Sequence, residues 1–547
     1  MKKILLYSIA MLSLAVGASS CTTDDLMVES QTSITSQFLY NTPEGLSRAV
    51  VGLYKKDRSC VTNQDEGGDY EHLMMDFQTD LMAYRAGNAA AMFRLNSAKS
   101  STDKFKTVWE RWYQIIGKAN EVIYYAKQLD PDLENETVKR AYGEALLFRA
   151  RCYFGLYKHF EKVYLNLIPT TVDNMEGRTY RPSSKNEVFK QIKLDLEEAI
   201  ECLDWIVPNG DYGRMTKAVA HHVRAQVAMW EGNWQDAIDH CEAIFTNGSY
   251  SMMPTMADVF NGANLNNSEV LYAYQFSKNP GGAASIDDGV AKGHRLSLIT
   301  TPGYSKIDGL EDCTEYGGYG WGRTYPNARL FSLYGATEEE RTKDNRYTTM
   351  FRHQFYYNNE KTLPEGKTLG EAVNPTENKS LYTTSLHPCS LKFFDSWTIE
   401  DFSNRTSFKD VIVYRLAETY LMAAEAYFLK YGSCEQALKY YNMTYSRAMS
   451  TKDTVVKWTK ALTLDDILDE YARELHLEGV RWQLLKRHGL LADYVKKYAG
   501  ESVAENPYLT ADLIDPRVNW DDKWYCWPIP QSFLDVVGES YGQNRGW

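Results

Sequence analysis

Apolar residues recur every three or four positions in two long parts of the chain, a spacing that predicts α-helices. The predicted helical segments are 103–160, 186–203, 411–430, 434–449 and 465–488. Ser184, followed three residues later by Glu187, is the pattern of a capping box at a helix start. The pattern therefore indicates a chain built mainly from amphipathic helices, in an early part and a late part.

A short repeat links the two parts. Three residues recur 200 positions later in the chain, where Gly232, Ala237 and Ile238 are matched by Gly432, Ala437 and Leu438. A Gly that ends one helix and an Ala where two helices cross closely are the parts of a tetratricopeptide-like hairpin. We therefore predict a mainly α fold, in which helix pairs form a degenerate tetratricopeptide-like scaffold.

The helical pattern fades between about 248 and 410, where Gly, Asn, Pro, Thr and Tyr dominate. Only short extended pieces such as 269–276 are predicted in this region. We expect a large loop-rich insert with short strands, and inserts on a rigid scaffold often carry function. The single predicted domain, 21–547, then has a scaffold over about 40–247 and 411–490, the insert over about 248–410, and an extended C-terminal segment, 491–547.

Composition and charge narrow the function classes. The chain has 547 residues, and 13% of them are aromatic, with 39 Tyr, 20 Phe and 13 Trp. Its formal net charge is −12, which argues against a surface that binds the phosphate backbone of nucleic acids. Many aromatic residues fall at helical spacing and are expected in the core. A Gly-spaced set in the insert needs another explanation.

The first 21 residues have the pattern of a secretory signal that ends at a cysteine. Lys2 and Lys3 precede an apolar run, and small residues from Gly17 lead directly into Cys21. The alternative is an ordinary signal peptide with Cys21 there by chance. The run of small residues into Cys21 resembles a bacterial lipoprotein box, and Thr22-Thr23-Asp24-Asp25 resembles the surface-export signal of Bacteroidota lipoproteins. These resemblances imply cleavage of residues 1–20, acylation of Cys21, and a lipid-anchored location on the cell surface at the outer membrane.

Several blocks occur in one order along the chain, and four of them are Val108-Trp109-Glu110, Tyr414-Arg415-Leu416-Ala417-Glu418, Glu478-Gly479-Val480-Arg481-Trp482 and Trp527-Pro528-Ile529-Pro530-Gln531. Together these blocks resemble the SusD/RagB family of outer-membrane nutrient-binding lipoproteins. The resemblance implies a protein that captures an oligosaccharide and delivers it to a SusC-like TonB-dependent transporter. It also implies that the helical scaffold forms much of the contact with that transporter.

Signatures of catalysis and of cofactor binding are largely missing from the sequence. There is no HExxH and no GxSxG motif. His221, His222 and His240 lie on predicted helices without a convergent third ligand, so packing is the better interpretation than a metal site. We therefore predict a binding protein with no cofactor and no metal, rather than an enzyme. Two alternatives stay open: an oligopeptide-binding RagB-like protein, and more distantly a surface glycoside hydrolase.

Sugar binding predicts particular residue types in the insert. Flat aromatic rings cover the apolar faces of a sugar, while Asp, Asn and Arg satisfy its hydroxyl groups. The Gly-spaced residues Tyr316, Tyr319, Trp321 and Arg323 combine both types, and we predict that they contact the ligand. The alternative is that these aromatic residues pack the loop onto the scaffold.

An early segment offers further polar candidates, Asp80, Tyr84 and Arg85. In members of the resembled family, an early loop and the mid-chain insert both approach the ligand, and this implies a site between the two. The alternative is that Asp80 caps a helix and that Arg85 is an ordinary surface residue. Lower-ranked candidates in the insert are Tyr356, Tyr357 and Trp397.

Overall fold

The computed structural model describes residues 36–62, 76–84, 95, 98–170, 174, 180–207, 211–277, 285–287, 290–398, 406–500 and 516–547. The predicted lipidation site Cys21 and the predicted ligand contact Arg85 lie outside these residues. The α-helices are α1 (Ser36–Asn41), α2 (Pro43–Thr62), α3 (Asp103–Leu129), α4 (Glu136–Phe160), α5 (Lys185–Cys202), α6 (Lys217–Glu231), α7 (Trp234–Asn247), α8 (Met256–Val259), α9 (Leu296–Thr300), α10 (Ala328–Ser332), α11 (Glu338–Arg341), α12 (Asn345–Thr349), α13 (Leu416–Tyr431), α14 (Glu435–Met449), α15 (Leu464–Leu475), α16 (Arg481–Arg487), α17 (Leu491–Tyr498) and α18 (Gln531–Val537). The strands are β1 (Met82–Tyr84), β2 (Val270–Tyr274), β3 (Ser285–Asp287), β4 (Val290–Lys292), β5 (Thr324–Pro326), β6 (Phe351–Arg352), β7 (Cys389–Ser390) and β8 (Val411–Arg415).

Helices α2 to α5 form the first part of the scaffold. The Asn135 side chain caps α4 by accepting from the backbone N–H groups of Thr137 and Val138. The predicted capping box at the start of α5 is confirmed, with Ser184 and Glu187 satisfying each other's backbone N–H groups. No helix within the described ranges combines the length and the apolar character that crossing a bilayer requires.

The repeated residues form two equivalent helix pairs, as predicted. Gly232 joins α6 to α7 and Gly432 joins α13 to α14, with φ angles of +74° and +73° that favour glycine. Ala237 and Ala437 are fully buried. Helix α7 also packs against α13, so the two pairs stack on each other and continue one scaffold.

The insert contains short two-stranded sheets rather than a large one. Strands β1 and β5, β2 and β8, β3 and β4, and β6 and β7 pair antiparallel. This corrects one prediction, because 411–430 is not a single helix. Its first five residues, Val411–Arg415, form β8 and pair with β2, and only Leu416–Tyr431 is helical. The mainly helical scaffold with a loop-rich insert is confirmed.

The C-terminal segment is only partly extended, which corrects the prediction for 491–547. It contains the helices α17 and α18. Around Trp527 the chain is strapped across the scaffold, where the backbone N–H of Trp527 donates to the carbonyl oxygen of His159 at 2.7 Å. The Asn544 side chain donates to the carbonyl oxygens of Phe160 and Trp527, each at 2.7 Å. Trp527 is fully buried and packs against Phe160, the last residue of α4.

Buried ion pairs join the late helices to the insert. The Arg415 guanidinium, 1% exposed at its side chain, donates to Glu269, Glu474 and Glu478 over 2.6–2.8 Å. We interpret these residues as structural, since each carboxylate has a guanidinium partner inside the core.

Candidate functional site

The early segment and the insert meet in a two-stranded sheet. In the register of β1 and β5, Met82 pairs with Pro326 and Tyr84 pairs with Thr324. The Asn327 side chain adds a hydrogen bond, donating to the carbonyl oxygen of Asp80 at 2.6 Å. The two segments in which the sequence predicts ligand contacts are therefore neighbours, although they lie more than 200 residues apart in the chain.

Residues 313–323, which we name the aromatic loop, are held closely against α9. The backbone N–H of Trp321 donates to the carbonyl oxygen of Leu298 at 2.8 Å. A Cβ atom at Gly320 would lie 1.9 Å from the carbonyl oxygen of Pro302, and one at Gly322 would lie 2.0 Å from that of Thr384. The glycines are thus needed for close backbone contact, and that contact fixes the loop.

Trp321 stands at the end of the aromatic loop beside two guanidinium groups. Its indole ring is half-buried against the main core. The Cζ atom of Arg323 lies 5.4 Å from the ring centroid, and that of Arg295 lies 5.6 Å from it. Tyr319 and Arg323 are half-buried as well. Three of the predicted ligand contacts, Trp321, Tyr319 and Arg323, therefore keep part of their surface accessible.

Asp80 is not available to a ligand, which corrects the prediction for this residue. Its side chain is fully buried. The Arg481 guanidinium donates to both carboxylate oxygens, at 2.9 Å and 2.7 Å. Tyr84 is also buried, at 6% exposure, with its ring centroid 5.5 Å from that of Phe77. At these two residues the early segment is thus anchored in the core and not open to a ligand.

Tyr316 packs the aromatic loop onto a second, smaller core, as the alternative interpretation of the loop proposed. Its exposure is 3%, and its ring centroid lies 5.1 Å from those of Tyr304 and Phe355. The Tyr316 hydroxyl donates to the carbonyl oxygen of Tyr356 at 3.0 Å and accepts from the Tyr356 N–H at 2.9 Å. Tyr316 is therefore an anchor of the loop and not a ligand contact.

Among the described residues of the insert, the most exposed aromatic rings are two of the lower-ranked candidates. Tyr356 is 46% exposed and Trp397 is 45% exposed, whereas Tyr357 is buried at 3%. The sequence does not reveal which of the two neighbouring tyrosines is exposed. That Tyr356 faces outward and Tyr357 inward depends on how residues 351–357 pack against the rest of the protein. Tyr356 and Trp397 present flat apolar faces of the kind that cover a sugar ring.

Contacts on three sides hold Trp397 in place. The backbone N–H groups of Trp397 and Thr398 donate to Asp395 Oδ1 at 2.9 Å and 2.8 Å. A Cβ atom at Gly262 would lie 2.2 Å from the indole ring, and the Lys409 Nζ lies 5.6 Å from the ring centroid. Burial lowers the pKa of Lys409 to about 7, although the Asp395 carboxylate opposes that shift.

Arg352 connects these exposed rings to the aromatic loop. Its Cζ atom lies 4.7 Å from the ring centroid of Tyr316 and 5.7 Å from that of Phe394, which in turn contacts Trp397. Arg352 Nη2 donates to the carbonyl oxygen of Glu315 at 2.6 Å. We name Tyr319, Trp321, Tyr356 and Trp397 the aromatic surface.

Two residues of this region, Arg295 and Arg352, carry no local sequence signal. They lie 26 positions before and 31 positions after Trp321. Only tertiary packing brings them to the aromatic rings. Rings beside guanidinium donors offer apolar stacking and hydrogen bonding together, which suits the binding of a polar ligand with apolar faces.

Two family models match the chain in adjacent parts. The model described as "SusD family" matches residues 246–547, which include the whole aromatic surface. The model described as "Starch-binding associating with outer membrane" matches residues 26–228. The curated relative "SusD-like protein P25" from Formosa agariphila is 26% identical over 257 residues, covering 45% of this chain. That match spans 47% of the relative's own length.

Solved structures share the fold over nearly the whole chain. A SusD homolog from Bacteroides thetaiotaomicron superimposes with a TM-score of 0.76 at 19% identity, covering 94% of this chain and 99% of its own. Surface glycan-binding protein A from Bacteroides thetaiotaomicron, solved in complex with laminarihexaose, gives a TM-score of 0.66 at 20% identity. It covers 92% of this chain and 99% of its own. At such identities the likeness establishes the fold.

Proposed function

Because the chain belongs to the SusD family, we propose that it binds glycans and holds an oligosaccharide on the aromatic surface. The observation that carries this proposal is that the rings of Trp397 and Tyr356 are exposed, while the backbone N–H of each residue is hydrogen-bonded and the Trp397 ring packs against Gly262. A fixed ring loses little conformational freedom when a sugar stacks on it. The laminarihexaose complex of a protein with the same fold supports the same ligand class.

The proposal extends to a delivery role without bond cleavage. The protein, anchored through acylated Cys21 at the outer membrane, would pass its glycan to a SusC-like TonB-dependent transporter that contacts the helical scaffold. The sequence resemblance and the family description of outer-membrane association support this role. No step of it asks for proton transfer or a nucleophile, so binding and release are the whole mechanism.

An oligopeptide is the second candidate ligand. Peptide recognition relies on backbone pairing with an open strand edge or cleft, whereas glycan recognition relies on aromatic faces. The strands that border the aromatic loop, β1 and β5, pair with each other. The glycan is the preferred ligand because exposed aromatic rings, Tyr356 and Trp397, are present in this region.

Titration calorimetry with a panel of glycans tests the proposal. We expect Trp321→Ala and Trp397→Ala each to weaken the best-binding glycan about tenfold or more, since each removes the apolar area that the ring buries and about 0.5–1.5 kcal/mol of stacking beyond it. Tyr319→Ala and Tyr356→Ala should weaken it as well. A mixture of oligopeptides of similar length is titrated in parallel.

The matched control is Tyr124→Ala, which removes a ring that is 48% exposed on α3 and distant from the insert. This variant should bind the glycan as tightly as the wild-type protein. If the four insert variants also bind as tightly as the wild type, the aromatic surface is not the site. If only the oligopeptides bind, the second candidate replaces the first.

A further inference from the structure

Three arginines surround the aromatic rings of the insert. The guanidinium groups of Arg295 and Arg323 both lie near the indole ring of Trp321, with Cζ atoms 5.6 Å and 5.4 Å from its centroid. Arg352 lies over the ring of Tyr316 and also near that of Phe394, and these two residues contact Tyr356 and Trp397 respectively. Across the residues described, neither Arg323 nor Arg352 has a carboxylate within ion-pair distance. Arg352 Nε is buried and has no hydrogen-bond partner there.

Several arginines elsewhere in the core do pair with carboxylates. Arg149 pairs with Asp195 at 2.6 Å, Arg481 with Asp80 at 2.7 Å, and Arg487 with Glu425 at 2.7 Å. The chain has 72 acidic residues against 60 Lys and Arg, so carboxylates are in excess. A shortage of acidic partners therefore does not explain why Arg323 and Arg352 face none.

Electrostatics make this arrangement receptive to an anion. An anion placed beside the guanidinium of Arg323 or Arg352 interacts favourably with its positive charge. A guanidinium fork matches the geometry of a carboxylate or a sulfate and binds it through two parallel hydrogen bonds. Glu315, the nearest acid on the aromatic loop, offers Arg352 its backbone oxygen.

We infer that the glycan held on the aromatic surface is acidic and carries carboxylate or sulfate groups that Arg323 and Arg352 bind. This inference rests on the proposed glycan-binding function and names the chemical class of its ligand. The rings hold the apolar faces of the sugar, while the guanidinium groups select the charged substituents. A neutral glycan would offer these two guanidinium groups hydroxyl oxygens but no negative charge.

Matched pairs of ligands test the inference by titration calorimetry on the mature chain. One pair is an oligogalacturonate and its carboxyl-reduced form, and the other is a sulfated galactan oligosaccharide and its desulfated form. We expect the acidic member of one pair to bind at least tenfold more tightly than its neutral form, and to weaken as NaCl is raised. The pair that shows the difference separates carboxylate from sulfate.

Two variants link the effect to the site. Arg323→Gln should lower the affinity for the acidic ligand about tenfold or more. The thermal unfolding midpoint of this variant should equal that of the wild-type protein. Arg181→Gln is the control, because Arg181 is a surface residue 72% exposed at its side chain, beside Glu187, and it should leave affinity unchanged. Equal binding of the acidic and neutral forms overturns the inference. Binding of laminarihexaose alone overturns it and leaves glycan binding standing, whereas no binding to any glycan contradicts both proposals.

Discussion

Arg415 lies at the centre of the buried charges that join the insert to the late helices. Its guanidinium contacts three carboxylates, those of Glu269, Glu474 and Glu478. Burial alone would raise the pKa of Glu474, but Arg447, Arg415 and Arg346 together hold it well below its usual value. The charge balance of this cluster therefore depends on each guanidinium being present.

Removal of Arg415 should be strongly destabilising. We expect Arg415→Met to lower the free energy of unfolding by about 3–5 kcal/mol, because it leaves buried carboxylates without their partner. Urea unfolding followed by circular dichroism measures the change. The control is Lys106→Met, which removes an exposed ion pair between Lys106 and Glu110, 3.9 Å apart. This variant should lower the free energy of unfolding by less than about 1 kcal/mol. A similar small loss for both variants would contradict the structural role of Arg415.

At the scale of elements, local patterns predicted the helices well, and pairing over distance was missed. The hairpins at Gly232 and Gly432 depend on residues within one turn and its flanking helices, so their pattern is visible in the sequence. Strand β8 pairs with β2, some 140 residues earlier, and its apolar run was read as part of the following helix. Short apolar runs do not distinguish a buried strand from a helix by periodicity alone.

In the aromatic loop too, the local sequence pattern does not predict which residues are buried by distant segments. Its glycine spacing correctly marked an unusual loop, but the glycines serve close contact with 301–303 and 384. Tyr316, Asp80 and Tyr84 were predicted to contact the ligand, and all three are buried. Their residue types suit a binding site and a core equally well, so only the packing of distant segments decides between the two.

The loop conformation itself should matter for binding. We expect Gly320→Ala to weaken glycan affinity about tenfold or more, because the added methyl would lie 1.9 Å from the Pro302 carbonyl oxygen and displace Trp321. Calorimetry measures affinity, and circular dichroism checks that the helical scaffold is retained. Gly117→Ala on α3 is the control, since a Cβ there meets open space. Unchanged affinity in Gly320→Ala would show that the loop position does not set binding.

At the scale of the whole molecule, a helical scaffold and a C-terminal strap hold a short-stranded insert in place. The resemblance in the sequence predicts this architecture, and its blocks lie on α3, across the junction of β8 and α13, at the start of α16 and on the C-terminal strap. The site was predicted in part, since β1 and β5 bring the two expected segments together. The arginines beside the rings and the exposure of Trp397 required the tertiary structure.

A crystal structure of the mature chain with its best-binding glycan tests the central claim most directly. The account predicts a sugar ring stacked on Trp321 or Trp397, with an acidic substituent within hydrogen-bond distance of Arg323 or Arg352. Glycan bound elsewhere, for example on the helical scaffold with the aromatic surface empty, would contradict it.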